Sequence, residues 1–385
     1  MNERIENRFT MPRLISRNIG IAFDMNGCPN RCRHCYLGCA SRTKISEAEV
    51  RWAVNKFKSY HRDREDKLFI ESLAVSTWFR EPDYLDNYKE LYELELELSD
   101  VKPYRYELLS IWRLARDKEY AKWAKKIGTE KCQISFFGIE DTNDWFYRRK
   151  GAFRDALLAT ERLLDAGIKP KWQLFLTKKI ISEIGSILNL VEKMRLREKV
   201  RALGGEFEIF LHTPGPDGNA RKIEYLRPTI EETRDIPLEI VEISKVYLKV
   251  ESLWYTEGEL NKQILDEEDE FPYAYKFPEL LWLFIKNNFD VSSNFATLEP
   301  WWKLGNLKRD PVDKVFQNFE ENKIPGLYTI YNISPKELVK TFCDPKSTLI
   351  YTNKDDLLAL CLGKFLEKKT EEAGKKFGRF LDVVA

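Results

Sequence analysis

The sequence lacks the features that define several large classes of protein. It holds 63 lysines and arginines against 62 aspartates and glutamates, so no overall charge favours nucleic acid or an anionic membrane. No apolar run approaches the length of a membrane span, and the first residues, with Glu3, Arg4 and Glu6, lack the apolar core of a signal peptide. No short-period repeat of the solenoid kind occurs. We therefore expect a cytoplasmic protein.

Cysteine is also scarce, and its distribution argues against a disulfide framework. The chain has seven cysteines, an odd number, and three of them lie close together at Cys28, Cys32 and Cys35. An even set of spaced cysteines would be typical of a small secreted domain held by disulfides. This pattern instead indicates a reduced, intracellular chain with a metal site.

The three clustered cysteines come shortly after a predicted strand. Ile19–Phe23 is an apolar run, and the cysteines follow it, separated by three residues and then by two. Thiolates are the ligands of iron-sulfur clusters, and such short spacings let consecutive sulfurs converge on one face of a cluster. Three thiolates on a cubane of four iron atoms leave one iron without a protein ligand. An open position of this kind distinguishes a catalytic metal centre from a closed structural one.

Other interpretations of these cysteines remain open. With Cys39 as a fourth ligand they would form a structural zinc site, because tetrahedral four-cysteine sites use similar spacings. They would also suit a ferredoxin-like electron carrier, or be reduced cysteines without a function. Cys39 itself is either an incidental small apolar residue, which we favour, or a thiol close to the metal.

Strands and helices alternate through residues 1–230, and this alternation predicts an α/β fold. Ser46 and Glu49 form a capping box before a helical apolar pattern that begins at Val50. Six strands separated by helices favour parallel pairing in a partial (β/α)6 barrel of the TIM type. Residues 231–385 are expected to form a smaller, mostly helical C-terminal region. The predicted strands are Ile19–Phe23, Leu68–Val75, Tyr104–Ser110, Cys132–Phe137, Trp172–Thr177 and Phe207–His212.

Polar side chains lie near the carboxyl ends of the predicted strands, where barrels of this kind carry their chemistry. The cysteine loop is at one such end. The others carry Glu81, Ser110, Ser135, Thr177 and His212, within a residue or a loop of the strand. We expect these residues to surround one site together with the cysteines. His212 is either an acid or base that acts on the substrate or a strand-end histidine with satisfied hydrogen bonds.

The cysteine loop resembles the signature of a known family. Cys28, Cys32 and Cys35, with His34 in a position usually held by an aromatic ring, resemble the motif of the radical S-adenosylmethionine superfamily. The resemblance implies a six-unit partial barrel and a [4Fe-4S] cluster held by the three cysteines. It also implies that the open iron binds the amino and carboxylate groups of S-adenosylmethionine. An electron from the reduced cluster then cleaves this cosubstrate to methionine and a 5'-deoxyadenosyl radical.

Weaker matches to the same family assign roles around S-adenosylmethionine. Glu81 resembles the end of the family's Gly-Gly-Glu-Pro motif, which meets the amino group, although both glycines are absent here. Ser135 and Arg148 resemble the residues that bind the ribose and the carboxylate, and Arg149 is the next candidate for the arginine. The run from Arg148 to Lys150 is also typical of a solvated surface, and Ser135 of a strand without a ligand. The predicted cofactor-binding residues are His34, Glu81, Ser110, Ser135, Arg148 and Thr177.

The C-terminal region resembles the SPASM extension that many peptide-modifying members of the family carry after the barrel. The similarity lies in Leu304-Gly-Asn-Leu307 and in the segment Pro311–Phe316. SPASM proteins bind auxiliary clusters through several flanking cysteines, but no cysteine lies between Cys132 and Cys343 in this sequence. Cys343 and Cys361 alone cannot hold the usual pair of extra clusters. We therefore expect a SPASM-like region without them.

Together with the resemblance, these features predict an enzyme that removes a hydrogen atom from an unactivated carbon of its substrate. Such a radical needs a dry, closed cavity, and the aromatic-rich stretch 271–302 would either wall that cavity or pack between domains. The SPASM-like segment favours a peptide substrate, and a small metabolite is the alternative. A flavodoxin- or ferredoxin-type protein is expected to supply the electron. The rival hypothesis is a non-catalytic protein that binds zinc or an iron-sulfur cluster.

Overall fold

A computed structural model describes residues 17–38, 43–62, 68–80, 85–102, 107–267 and 280–374 of the chain. Its strands within these ranges are β1 (Asn18–Phe23), β2 (Ser72–Ser76), β3 (Lys131–Phe136), β4 (Lys169–Phe175), β5 (Glu208–His212), β6 (Tyr255–Thr256), β7 (Leu281–Ile285), β8 (Asp290–Ser292), β9 (Lys303–Asn306) and β10 (Ile350–Tyr351).

Helices separate most of these strands. Among the described helices, none is both long enough and apolar enough to pass through a lipid bilayer. Short 3-10 segments cover Gly218–Leu226, Glu232–Asp235 and Pro300–Trp302. The α-helices are α1 (Glu47–Lys58), α2 (Tyr88–Leu98), α3 (Ile111–Leu114), α4 (Lys118–Lys126), α5 (Glu140–Tyr147), α6 (Ala152–Asp165), α7 (Lys178–Ile181), α8 (Ile184–Lys193), α9 (Leu196–Ala202), α10 (Leu238–Leu248), α11 (Glu257–Leu265), α12 (Val312–Glu320), α13 (Pro325–Asn332), α14 (Pro335–Phe342) and α15 (Lys354–Gly374).

The strands form two main sheets in which parallel pairing dominates. One sheet has the order β3-β4-β5 and is parallel throughout. The other has the order β2-β1-β7-β8-β9, in which β2, β1 and β7 are parallel and the last two strands are antiparallel. Strands β6 and β10 make a separate antiparallel pair. The predicted α/β class with parallel strands is therefore confirmed.

Both sheets contribute to one cavity at the carboxyl ends of their strands. Residues that follow β1 and β2, and residues in and after β3, β4 and β5, all line this cavity. This shared lining agrees with the predicted partial barrel. Strand β7 adds to the same sheet beside β1, although it comes from the part of the chain after residue 230. The division at residue 230 remains a prediction.

Two predicted strands differ from the structure. In the segment predicted as Tyr104–Ser110, residues 107–110 are not a strand, and residues 103–106 lie outside the described ranges. Glu107 still lies beside β3, because its carbonyl accepts a hydrogen bond from the Gln133 amide, but the next residues turn into α3. The strand predicted from Leu68 begins only at Ser72, since the carbonyls of residues 68 and 69 accept hydrogen bonds from the Arg17 side chain.

Local signals place the first helix and its packing. Ser46 and Glu49 make the predicted capping box at the start of α1, and each side chain accepts the other residue's backbone N–H. The buried face of α1 packs with β1, β2 and β7 in one hydrophobic core. A second core forms between β3, β4, β5 and the helices that follow them. Each sheet therefore has its own apolar layer behind the cavity.

The C-terminal part forms a third cluster that contains the two late cysteines. Trp301 and Trp302 are buried there with helices α11, α14 and α15. The Sγ atoms of Cys343 and Cys361 are 3.1 Å apart.

The SPASM-like segment forms β9, where the Asn306 amide donates hydrogen bonds to the Asn288 carbonyl and the Asp290 carboxylate.

The close pairing of β1 with β7 gives a test of this sheet. A Cβ added at Gly20 would lie 2.4 Å from the Trp282 ring, so Gly20→Ala should destabilise the protein by about 1–3 kcal/mol through overpacking. Gly185 in α8 has no atom within 4 Å of such a Cβ, and Gly185→Ala should be neutral or stabilising, by up to about 1 kcal/mol. Urea unfolding of both variants measures the difference, and equal stability would contradict the pairing.

Candidate metal and cofactor site

The cysteine loop begins with a tight reversal at the end of β1. Asn26 and Gly27 have φ angles of 59° and 86°, a left-handed conformation that glycine adopts without strain. Two backbone hydrogen bonds then hold the loop, from the Cys35 amide to the Cys32 carbonyl and from the Gly38 amide to the Cys35 carbonyl. The described part of the loop ends at Gly38, so Cys39 lies outside it.

A buried ion pair fixes the loop to the sheet. Asp24 follows β1 and Arg80 follows β2, and the guanidinium donates to both carboxylate oxygens at 2.6 and 3.0 Å. Its remaining donors reach the carbonyls of Gly38 at 3.0 Å and Leu37 at 2.9 Å. Only 5% of the Arg80 side chain and 7% of the Asp24 side chain are exposed. Such a bidentate pair is strong and directional, and here it fixes the position of the loop relative to the strands.

The opposite edge of the loop is hydrogen bonded to α5. The amides of Arg31 and Arg33 donate to the carbonyls of Tyr147 and Phe146, at 3.2 and 2.9 Å. The Arg33 guanidinium also lies over the Trp145 ring, 4.0 Å from its centre. The loop is therefore held from two sides by elements that follow different strands.

The segment after β5 packs against the loop and makes a third contact with it. Gly218 has a φ of 53°, and a Cβ there would lie 2.4 Å from the Tyr36 carbonyl oxygen. Only glycine lets the two backbones approach so closely.

The three cysteines open on a cavity of about 470 Å³. Beside them it is lined by His34, Tyr36 and Leu37 from the loop, Trp78, Phe79 and Arg80 after β2, and Gln133, Ser135, Gln173, Phe175 and His212 from the strands of the second sheet. The predicted residues Cys28, Cys32, Cys35, His34, Ser135 and His212 thus lie around one cavity. Ser135 donates a 2.7 Å hydrogen bond to the Gln173 side chain, which also accepts from Gln133.

Three predicted cofactor residues are not brought to this cavity. Ser110 is buried and its hydroxyl accepts from the Arg113 amide, so it serves as the N-cap of α3. Thr177 is buried at the start of α7, and its hydroxyl has no partner among the described residues. Arg148 ends α5 with a φ of 52° and lines a separate surface pocket with Trp145. Glu81 lies outside the described residues.

Arg149, the other arginine considered for the carboxylate, has a structural role in this arrangement. Its guanidinium donates to the Asn30 side chain at 2.6 Å and to Asp155 at 2.6 Å. It therefore ties the cysteine loop to α6 and does not line the cavity.

Burial keeps the two histidines of the cavity neutral. It lowers the pKa of His34 to about 3, with a smaller contribution from His212, and it lowers the pKa of His212 to about 4. The His34 ring lies 4.5 Å from the Phe137 ring and 4.8 Å from the Phe175 ring, and its buried Nδ1 has no partner among the described residues. His34 thus takes the aromatic position that the motif predicts.

Burial raises the pKa of the Cys35 thiol, and the positive charge of Arg80 opposes that rise. The same guanidinium is close enough to Cys28 to interact with it electrostatically. A cation beside these sulfurs favours their thiolate forms, which are the forms that bind metal.

The donor set is compatible with an iron-sulfur cubane. Among the described residues, no three histidine, cysteine or acidic side chains converge closely enough to hold one metal ion. A cubane places each cysteine sulfur on a different iron atom, so its ligands stand further apart than those of one tetrahedral ion. Cys28, Cys32 and Cys35 on one loop, open to one cavity, are compatible with that spacing.

The structure also adds residues that the sequence analysis missed. Asp24 and Arg80 position the loop, and Gln133, Gln173 and Asp217 line the cavity. Asp24 directly follows the apolar strand β1 and Arg80 lies in the short segment after β2, which is a signal that the sequence offered. The glutamines alternate with buried residues along β3 and β4 and carry no comparable signal.

The Asp24–Arg80 pair gives a stability test. Asp24→Asn leaves a buried guanidinium without its counter-charge, and should lower the free energy of unfolding by about 3–5 kcal/mol. Glu119→Gln removes the charge from an exposed pair with Lys122 and should cost less than about 1 kcal/mol. Urea unfolding of the two variants gives the comparison, and similar losses would show that the buried pair is not what holds the loop.

Comparisons with known proteins give one similarity in sequence and several in fold. No family model matches the chain. Over 80 residues it is 34% identical to Fe-coproporphyrin III synthase of Methanosarcina barkeri (strain Fusaro / DSM 804). The aligned segment covers 21% of this chain and 20% of that protein. The chain thus spans about one fifth of the length of the curated relative that it matches.

Among solved structures, native anSMEcpe with bound AdoMet is 11% identical, with 92% of this chain and 100% of that chain covered and a TM-score of 0.49. Streptococcus suis SuiB bound to precursor peptide SuiA is 12% identical, with 91% and 77% covered and a TM-score of 0.44. The sequence similarity agrees with the resemblance to the radical S-adenosylmethionine superfamily that the cysteine motif indicates.

Proposed function

We propose that this chain is a radical S-adenosylmethionine enzyme that removes a hydrogen atom from its substrate. The observation that carries the proposal is the cysteine loop: Cys28, Cys32 and Cys35 open on one cavity at the carboxyl ends of parallel strands. Active sites of barrels lie at that end. The cavity has room for a ligand of moderate size beside the loop.

The three thiols would hold a [4Fe-4S] cluster, and Arg80 would stabilise its negative charge. When bound, the cluster would supply the electron that cleaves S-adenosylmethionine to methionine and a 5'-deoxyadenosyl radical. The protein itself supplies the geometry of the loop. Asp24 and Arg80 fix this geometry through their ion pair and the hydrogen bond from Arg80 to the loop backbone. Preorganised ligands lower the cost of assembling the site.

S-adenosylmethionine would bind between the cysteine loop and β3. The Ser135 hydroxyl, oriented by Gln173, would bind a ribose hydroxyl. His34, together with Phe137 and Phe175, would form part of the cavity wall next to the cosubstrate. Glu81 remains the candidate for the amino group, from the resemblance alone.

The same cavity would keep water from the radical. Aromatic side chains close it on several sides, and Tyr36 and Phe295 meet edge to face with ring centres 5.1 Å apart. Trp78 and Phe79 add a wall after β2. A reactive intermediate in such a cavity meets the substrate before it meets solvent.

His212 would act on the substrate as a neutral group. It lines the cavity from the end of β5, and its lowered pKa leaves it able to accept a proton or donate an N–H hydrogen bond at pH 7. We assign it to substrate positioning or proton transfer.

A peptide is the substrate class that we favour, because the SPASM-like segment Leu304–Leu307 accompanies peptide modification in the family that the sequence resembles. A small metabolite is the alternative. A flavodoxin- or ferredoxin-type protein would supply the electron.

Anaerobic purification separates the enzyme from a non-catalytic metal protein. The proposal predicts brown protein that contains iron and sulfide, with a spectrum that changes when S-adenosylmethionine is added. Colourless protein loaded with zinc would overturn it.

Cys35→Ala gives the corresponding test of the ligands. Loss of one thiolate should prevent stable cluster binding, so that iron per chain falls sharply and 5'-deoxyadenosine formed after dithionite reduction drops to background. Cys343→Ala, in the C-terminal cluster, is the matched control and should keep both iron and activity. Unchanged 5'-deoxyadenosine formation by Cys35→Ala would show that the ligand assignment is wrong.

A further inference from the structure

We propose that Asp217 forms a subsite for a positively charged group of the substrate, an ammonium or a guanidinium. The inference rests on the proposed function, because it concerns the cavity on which the cysteines open. It goes further by assigning a charge to the substrate.

Asp217 is built into the cavity wall. It lies in the turn after β5 and lines the cavity with the cysteine loop and His212. The turn is fixed on both sides, since the Ala220 amide donates to the Asp217 carbonyl and Gly218 presses on the Tyr36 backbone. The backbone that carries the carboxylate is therefore held in place before any ligand enters.

The cavity offers Asp217 no counter-charge of its own. Arg80 is the other fully charged side chain in the described lining, and its donors are taken by Asp24 and two carbonyls. His212, at the end of β5 in the same lining, is neutral at pH 7 because burial lowers its pKa to about 4. The Asp217 carboxylate itself makes no hydrogen bond or ion pair with the described residues.

The charged groups near Asp217, outside the cavity lining, are mainly acidic. Glu299 and Asp356 lie near it, and Arg221, the cation of this group, is already paired with Glu299 and with Glu367. Burial, followed by the two carboxylates, raises the pKa of Asp217 to about 6, and the positive charge of Arg221 only partly opposes that rise. A cation that entered the cavity would lower the electrostatic free energy of the whole group.

This arrangement selects among substrates by charge. An ammonium or guanidinium would donate a charge-assisted hydrogen bond to the Asp217 carboxylate. A carboxylate at the same place would meet a like charge in a partly desolvated site. A peptide with a lysine or arginine side chain beside the reacting carbon satisfies the requirement, as does a small amine.

The test compares three probes with the anaerobically reconstituted full chain in the presence of S-adenosylmethionine. They are the N-acetyl amides of lysine, norleucine and glutamate, which share an amino acid backbone and differ in side-chain charge. Dissociation constants follow from ligand-observed NMR titrations. We expect the lysine compound to bind at least about tenfold tighter than the norleucine compound, and the glutamate compound to bind weakest.

Asp217→Asn should remove the preference for lysine, and Asp217→Glu should keep part of it. Asp165→Asn, at the exposed carboxyl end of α6, is the matched control and should keep the whole preference. Circular dichroism checks that each variant is folded. If Asp217→Asn does not fold, the wild type still tests the proposal. Sodium chloride should weaken the binding of the lysine compound and leave the binding of the norleucine compound unchanged, because salt screens the charge interaction.

Two results would overturn the proposal. One is equal affinity of the wild type for the lysine and norleucine compounds. The other is an Asp217→Asn variant that keeps the lysine preference but binds S-adenosylmethionine more weakly, which would assign the carboxylate to the cationic cosubstrate. Failure of the proposed function has a different signature, namely wild-type protein without iron or without 5'-deoxyadenosine formation.

Discussion

The candidate site depends on one buried ion pair. Asp24 and Arg80 end two neighbouring parallel strands, so their side chains meet at the same edge of the sheet. Burying two charges costs several kcal/mol of desolvation, and only good geometry and further hydrogen bonds offset it. The carbonyls of Leu37 and Gly38 supply those hydrogen bonds, so the pair is complete only when the cysteine loop is in place. Loop and sheet therefore stabilise each other.

The loop is held by contacts from three different parts of the fold. Arg80 binds its end from below, α5 bonds its middle through Arg31 and Arg33, and Gly218 presses on Tyr36 from the segment after β5. These contacts use the backbone of the loop and leave its thiols directed to the cavity. The sulfurs are thereby placed by the protein fold itself, without help from a disulfide.

The sequence predicted what depends on local patterns. The capping box at Ser46, the helix α1 that follows it and the strand before the cysteines depend on residues close together in the chain. The pairing of β7 with β1 could not be predicted in this way, because it joins residues more than two hundred positions apart. Such pairings depend on which surfaces fit together in the folded chain.

Two of the predicted site residues lie outside the cavity lining for similar reasons. Ser110 was predicted at the end of a strand, but the structure begins a helix there and its hydroxyl is used as a cap. Arg148 is assigned by resemblance to the family's carboxylate-binding arginine, but it ends α5 in a left-handed conformation and lines a separate surface pocket. In both cases the backbone conformation at a single residue determines that the side chain lies outside the cavity lining. Amino-acid composition does not reveal that conformation.

The chemistry of the cavity follows from the alternation of side chains along the strands. In β3, Gln133 and Ser135 face the cavity, whereas Cys132 and Ile134, which alternate with them, are fully buried on the helix side. Strand β4 repeats the pattern with Gln173 between two buried residues. Since successive residues of a strand point to opposite faces, one sheet can present hydrogen-bonding groups to a ligand and an apolar layer to its helices. A shift of one residue in either strand would exchange the two faces, so the register that stabilises the core also sets the polarity of the site.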